Sequence, residues 1–388
     1  MPLQVVETPY CSILQGELPA GCKGCVRGEK LVLFVTGLCP ATCFFCPISD
    51  EKKMKDVMFA NEQELAGDES AQIRALIKEA KANKALGAGI TGGDPLARVD
   101  RTCAYIRALK KEFGKSFHTH LYTPLILVNE ITLAKLAAAG LDEIRFHPSL
   151  ASEKFWSRML LAKKYDWDIG IEIPILPDKV KESKRLIDFA AAYKLIKFLN
   201  LNELEVSERA QGEFKRRGYK TREGTYAVEG SKGAAMELMQ HARKYDITAH
   251  YCTTTLKDRI QMGNRVIRRA ENESHPFDIV DEEGILTRGA VYLSYPPKFS
   301  YKKILKSLTE SEREAEIENL KDILAWLTAQ GMPSDAGLVD AHRLRIVLGA
   351  EAVEEIHKEL AKKFPKATCA IISEWPTSDA FIVSFEEL

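Results

Sequence analysis

Between residues 31 and 202 the chain repeats one alternation: a short apolar run, then a longer stretch with apolar residues three or four apart. The short runs are "LVLFVT" (31–36), "LGAGITGG" (86–93), "SFHTHLYT" (116–123), "EIRFHP" (143–148), "IGIEIPI" (169–175) and "IKFLNLN" (196–202). The helical patterns between them are "ESAQIRALIKEAKANKAL", "VDRTCAYIRALKKEF", "NEITLAKLAAAG", "SEKFWSRMLLAKKY" and "ESKRLIDFAAAYK". Gly140 ends the third, where a capping glycine belongs. Six strands separated by helices require a parallel sheet with right-handed crossovers. Such a sheet curls into a barrel or part of one. The expected fold class is therefore α/β, a partial (β/α)6 TIM-like barrel, with its chemistry on the loops after the strands' C-terminal ends.

"GLCPATCFFCP" (37–47) occupies the first of those loops and carries Cys39, Cys43 and Cys46. Random placement of the cysteines would give this spacing in roughly 0.5% of such chains. Pro40 and Pro47 work against a regular helix that merely buries three thiols. Thiolates select zinc, copper(I) or iron–sulfur clusters. A closed zinc site takes four ligands, and so, usually, does a cubane. Three cysteines on a cubane leave one iron without a protein ligand, free to chelate a small molecule.

"CPATCFFC" after a first barrel strand resembles the C-x3-C-x-aromatic-C motif of radical S-adenosylmethionine (SAM) enzymes. The resemblance covers residues 30–205 in motif order. It implies a [4Fe–4S] cluster on Cys39, Cys43 and Cys46 whose open iron binds the amino and carboxylate groups of SAM. One electron then splits the C5′–S bond, and the resulting 5′-deoxyadenosyl radical takes a hydrogen atom from substrate. It also implies an adenine contact for Phe45. "ITGGDP" resembles the family's Gly-Gly-Glu motif, so Gly92, Gly93 and Asp94 would hold the methionyl ammonium, with aspartate one methylene shorter than the usual acid. Tyr122 and Thr123 stand where the family contacts ribose. Asn202 stands at the adenine-facing loop, and Glu172 is a candidate for ribose or substrate. The stretch from Cys22 to Pro47 is most similar to a branch related to pyruvate formate-lyase activating enzymes. That implies a peptide or protein substrate, a low-potential donor such as ferredoxin or flavodoxin, and oxygen sensitivity.

A second cysteine set precedes the barrel. Cys22 and Cys25 form a C-x2-C pair flanked by glycines, half of a tetrahedral site. With Cys11 and Cys252 they would complete a zinc, iron or auxiliary iron–sulfur site, and His250 could replace Cys252. Cys103 and Cys369 sit in apolar patterns and are expected in cores. His118, His120 and His147 lie on expected strands and can point into the barrel.

Residues 205–232 form a polar, charged excursion, followed by a helix (233–245), a short strand (246–252) and a hairpin around "DEEG" (278–293). A β-α-β-β pattern ends the chain. The expected organisation is an N-terminal cysteine-bearing arm (1–30), the barrel (31–260), a hairpin-containing connection (261–296) and a small α+β C-terminal domain (297–388). Lys plus Arg equals Asp plus Glu, 55 each, which argues against a broad nucleic-acid surface though not against a local basic patch. The N-terminus lacks the pattern of a secretory signal and no apolar run is long enough to span a bilayer, so a cytoplasmic location without membrane association is expected. Two readings compete with a peptide-directed enzyme. One is tRNA or nucleotide modification, with RNA seated on the basic helix "HKELAKKFPK". The other is a non-catalytic iron–sulfur or zinc protein, which would have no use for "ITGGDP".

Overall fold

The computed structural model describes residues 3–388. They form two compact units, one running through Arg265 and one from Val266 to Leu388.

The first unit opens with the hairpin β1 (Val5–Glu7) and β2 (Ile13–Gln15), then α1 (Ala20–Val26) and β3 (Lys30–Phe34). A short pair follows, β4 (Phe59–Ala60) and β5 (Gln63–Glu64), then α2 (Glu69–Ala82), β6 (Gly87–Thr91), α3 (Val99–Phe113) and β7 (His118–Thr123). Next come α4 (Glu130–Ala139), β8 (Glu143–Phe146), β9 (Asp168–Pro174), α5 (Val180–Ala192) and β10 (Phe198–Asn202). The unit ends with α6 (Gln211–Arg216), α7 (Ser231–Arg243) and β11 (Thr248–Cys252). The sheet order is β1-β2-β11-β10-β9-β8-β7-β6-β3-β4-β5. The strands from β11 to β3 pair in parallel, and antiparallel strands cover both edges instead of closing the ring. The fold is thus the expected α/β partial barrel with a seventh parallel strand. "DITAHYC" supplies it, aligned with β10 so that Asn200 faces His250 and Asn202 faces Cys252.

Period-two alternation divides each strand between two environments. Leu31, Leu33, Ala88, Ile90, Leu121, Ile144, Phe146, Ile171, Ile173, Leu199, Leu201 and Ala249 join the core beneath the helices. Most of the intervening positions are polar, among them Lys30, His118, His120, Tyr122, Glu143, Arg145, Glu172, Asn200, Asn202 and His250. Helix starts follow their caps. Asp68 accepts from Ala71 N, and Asn129 with Thr132 closes a capping box. Gly140 caps α4 at φ +93°, as its position demanded. The fourth helical pattern differs from expectation. Trp156–Lys164 winds at three residues per turn, because its buried residues Trp156, Met159 and Ala162 recur every third position.

α8 (Met262–Glu273) crosses the division between the units. The second unit then runs β12 (Ile279–Val280), β13 (Leu286–Tyr292), α9 (Tyr301–Ser307), α10 (Glu310–Ala329), β14 (Gly337–Asp340), β15 (Arg345–Leu348), α11 (Ala350–Lys363), β16 (Thr368–Glu374) and β17 (Ile382–Glu387). Its antiparallel sheet has the order β14-β15-β13-β16-β17, with β12 on β13, and packs Leu320, Ile323, Leu327, Val353 and Leu360 of α10 and α11 into its core. The hairpin at 278–293 is present, but it is no connection. β13 is a central strand bonded to both β15 and β16, so the division falls at 265/266 and not near 296. Among the described residues no helix is long and apolar enough to cross a membrane.

Candidate functional site

The cysteine loop leaves β3 and is stitched at once to the loop after β6. Val35 N donates to Thr91 O at 2.9 Å, Gly93 N to Thr36 O at 2.7 Å and Asp94 N to Leu38 O at 2.8 Å. The glycines have a reason the sequence did not disclose. A Cβ on Gly92 would lie 2.4 Å from Thr36 O, and one on Gly93 2.4 Å from Leu38 O. What approaches them is the chain's own backbone, three residues and one residue before Cys39, and Gly92 also sits at φ +144°.

Cys39, Cys43 and Cys46 are half-buried along this loop. Ala41 N donates to Cys39 Sγ at 3.4 Å, and Cys46 N to Cys43 O at 3.3 Å. Burial pushes the Cys43 thiol up to about 11, helped by Cys39 and Cys46, while Lys53 pulls the other way. Burial is likewise the main cause raising the Cys39 thiol. Among the described residues no three His, Cys, Asp or Glu side chains sit where they could share one metal ion. A single zinc would need its sulfurs about 4 Å apart. A cubane presents a separate iron to each thiolate and accepts a wider triangle.

Asp94 is fully buried. Its Oδ1 accepts from Leu96 N and from Thr123 Oγ1, each at 3.0 Å, and its Oδ2 has no partner. Burial raises its carboxyl to about 6 against the pull of those two bonds. A buried, unpartnered carboxylate oxygen on the loop bonded to Leu38 fits an incoming ammonium group, which would supply both the missing bond and the missing charge.

Tyr122 and Thr123 part company, as neighbours on a strand must. Thr123 supports Asp94. Tyr122 joins Glu172 and Asn202 around a residue that sequence reasoning missed, Arg145. Its Nη1 donates to Glu172 Oε2 at 2.7 Å and to Tyr122 OH at 3.4 Å, its Nε to Glu143 Oε1 at 2.5 Å, and its Nη2 to Cys22 Sγ at 3.4 Å. Asn202 Nδ2 donates to Glu172 Oε1 at 3.0 Å. Glu143 and Arg145 alternate with apolar residues in "EIRF", and that alternation is the signal that could have marked an inward polar face. Phe45 turns to this side, its ring 5.9 Å from that of His147.

α1 lies against the lower part of the same face. Gly21 N donates to Glu143 Oε2 at 3.1 Å, and a Cβ there would lie 2.4 Å from Arg145 Nη2. The helix brings Cys22 and Cys25 to Arg145, and Cys252 acts electrostatically on the same group. Burial is the main cause raising the thiols of Cys22 and Cys25, with Arg145 opposing it. Cys11 is exposed and lines a separate cavity of about 240 Å³ with Glu203, Arg222 and Tyr251. Both ring nitrogens of His250 are engaged, by Asn200 and Ser12, and burial lowers it to about 4. His120 is neutral for the same cause, its Nε2 3.1 Å from Tyr122 OH and its Nδ1 unpartnered. His118 lies 2.6 Å from Lys30 Nζ. Cys103 and Cys369 are buried in the two cores, as expected.

The radical SAM superfamily model matches residues 33–190. A protein of Methanocaldococcus jannaschii, provisionally named a glycyl-radical enzyme activating enzyme, is 38% identical over 379 residues, covering 95% of this chain and 92% of its own length. Two solved structures of the radical SAM methyltransferase TsrM from Kitasatospora setae align at 11% identity. One, with tryptophan and a SAM analogue bound, has a TM-score of 0.38 and covers 57% of this chain and 53% of its own. The other, with cobalamin and a [4Fe–4S] cluster, has a TM-score of 0.36 and covers 64% and 54%. The chain thus spans about half the length of those structures.

Proposed function

The chain belongs to the radical SAM superfamily, and from that premise we propose that it is an activating-type enzyme that abstracts a hydrogen atom from a glycine in a peptide or protein. The observation that carries the cofactor side is the orphaned Oδ2 of Asp94, on the loop stitched to the residues just before Cys39. When bound, the cluster and SAM supply one-electron cleavage of the sulfonium and a carbon radical. The rest falls to this chain's side chains. Cys39, Cys43 and Cys46 would hold the cluster through their thiolates. Asp94 Oδ2 accepts from the methionyl ammonium, kept in place by Thr123 and Leu96 N. Phe45 offers a ring face to adenine. Tyr122, Glu172 and Asn202 give polar groups at the strand ends, and the buried network below them keeps their orientation.

What supports a peptide target is the named activity of the relative that matches along nearly the whole chain. The test is anaerobic. Reconstituted enzyme, dithionite, SAM and a peptide with the glycine loop of a glycyl-radical enzyme should give a glycyl-radical signal by electron paramagnetic resonance, with one 5′-deoxyadenosine per radical. A silent peptide together with a mass-shifted tRNA would replace this reading by nucleotide modification. For the second cysteine set, an auxiliary cluster on Cys22, Cys25 and Cys252 is the reading retained, because these thiols do not converge on a single metal ion. Cys11, exposed on another cavity, and His250, doubly bonded, are the weaker members.

Asp94 makes a further prediction. An ammonium binds the carboxylate, not the acid. SAM affinity should be level above pH 6 and fall about tenfold per unit below it, since protonation of the free site then competes. Asp94→Asn should bind SAM about 10- to 100-fold more weakly at pH 8, the value of one charge-assisted bond. It should also lose the pH dependence. Equilibrium dialysis between pH 5 and 8 reads both; an unchanged profile in the variant would remove Asp94 from the site.

A further inference from the structure

Two phenylalanines separate Cys43 from Cys46, their rings in edge contact at 5.0 Å, and both pack against the cluster that holds Leu204 and Phe214. Phe44 lies against the excursion that follows β10. Its ring centroid is 5.5 Å from Phe214 and 6.2 Å from Tyr219, nearly parallel to the latter at 7°. The Arg217 guanidinium lies 4.0 Å from its centroid. Ser207 Oγ donates to Cys46 O at 3.3 Å, and Arg209 pairs with Asp50. The excursion therefore clasps the cysteine loop through residues other than those stitched to Gly93 and Asp94.

The outer face of this clasp is basic. Residues 207–223 hold six basic and three acidic side chains in a chain that is neutral overall. Lys215, Arg216, Arg217 and Lys220 are exposed. Glu213 is the partner of both Arg216 and Arg217, while Lys215 and Lys220 make no ion pair among the described residues. Phe214 and Tyr219 are turned inward onto Phe44, and Tyr226 is the excursion's one exposed ring, so its surface offers charge with little for bases to stack on.

We infer that Lys215, Arg216 and Lys220 form the docking surface of an acidic one-electron carrier protein of the ferredoxin or flavodoxin class. The inference rests on the radical SAM reading, because a cluster that must be reduced needs a donor. Electron transfer weakens steeply with distance, so the donor has to dock against an element that touches the cysteine loop. The clasp is such an element, and its charge is complementary to an acidic carrier. One electron leaves the carrier's reduced centre and enters the oxidised cluster; no bond or proton is involved.

The test compares two reductants on the wild type and on a Lys215→Glu/Arg216→Glu/Lys220→Glu variant. Arg217 is left intact because it packs on Phe44. With a reduced bacterial ferredoxin, anaerobic stopped-flow bleaching of the cluster should be at least about tenfold slower in the variant at low salt. The wild-type rate should fall as salt rises from about 0.05 to 0.5 M, and the variant rate should barely move. Dithionite, too small to need docking, should bleach both proteins at equal rates and yield equal 5′-deoxyadenosine. Equal ferredoxin rates in both proteins would overturn the inference. So would loss of tRNA binding by the variant with ferredoxin rates unchanged, which would make the face an RNA seat. A wild type that bleaches with dithionite but cleaves no SAM would refute the reaction, and the ferredoxin comparison would still judge the docking face.

Discussion

Replacing Cys39, Cys43 and Cys46 together by alanine is expected to bring reductive SAM cleavage down to the blank, a loss of at least about 10³-fold or ~4 kcal/mol of barrier. The Gly93 and Asp94 amides are bonded to this segment, so a cluster held elsewhere would not stand beside the proposed ammonium site. The variant should stay folded, because the loop's attachments through Thr36, Leu38 and Phe44 leave the thiols out. The same protein tests the second cysteine set. If Cys22, Cys25 and Cys252 bind a metal, elemental analysis of the variant still finds it. A metal-free variant would end that proposal, and a variant that still cleaves SAM would end the assignment of the triplet.

Arg145→Met is expected to cost about 3–5 kcal/mol, since removing one partner of a buried ionic group leaves the others charged and dry. Arg145 and Glu143 are almost completely buried, and Glu172 is nearly so, at 2%, 0% and 12% side-chain exposure. The guanidinium also meets Tyr122 and Cys22. Thermal unfolding of the first unit should drop by roughly 10 °C. Adding Glu143→Gln should recover part of this, because one of the stranded charges is then gone. An Arg145→Met protein as stable as the wild type would show that water reaches this face freely and that the network does not hold Tyr122, Glu172 and Asn202.

The two residues flanking these predictions differed in legibility. Cys39 could be read from spacing, because ligands close in sequence on one loop stay close in space whatever surrounds them. Arg145 could not, since its partners Cys22, Tyr122 and Glu172 come from three other elements. Gly92 and Gly93 were recognised as special for a reason that proved to be only part of the story. A glycine declares that something comes near, not what, and here backbone carbonyls fill the space where a cofactor was expected. The boundary near 296 failed because "DIVDEEGILTRGAVYL" has a local hairpin pattern, while β13's other partners, β15 and β16, lie far along the chain.

The amino-acid order alone determined the local features: the strand and helix alternation, its caps, and the cysteine triplet on the loop after the first parallel strand. These depend on interactions within a few residues, where spacing and geometry are the same thing. Tertiary structure decided which polar groups share the inner face, where Phe44 and Phe45 go, and that Asp94 has one oxygen to spare. Those outcomes depend on register between distant strands, and a register shift of one residue would exchange the two faces of every strand it touched.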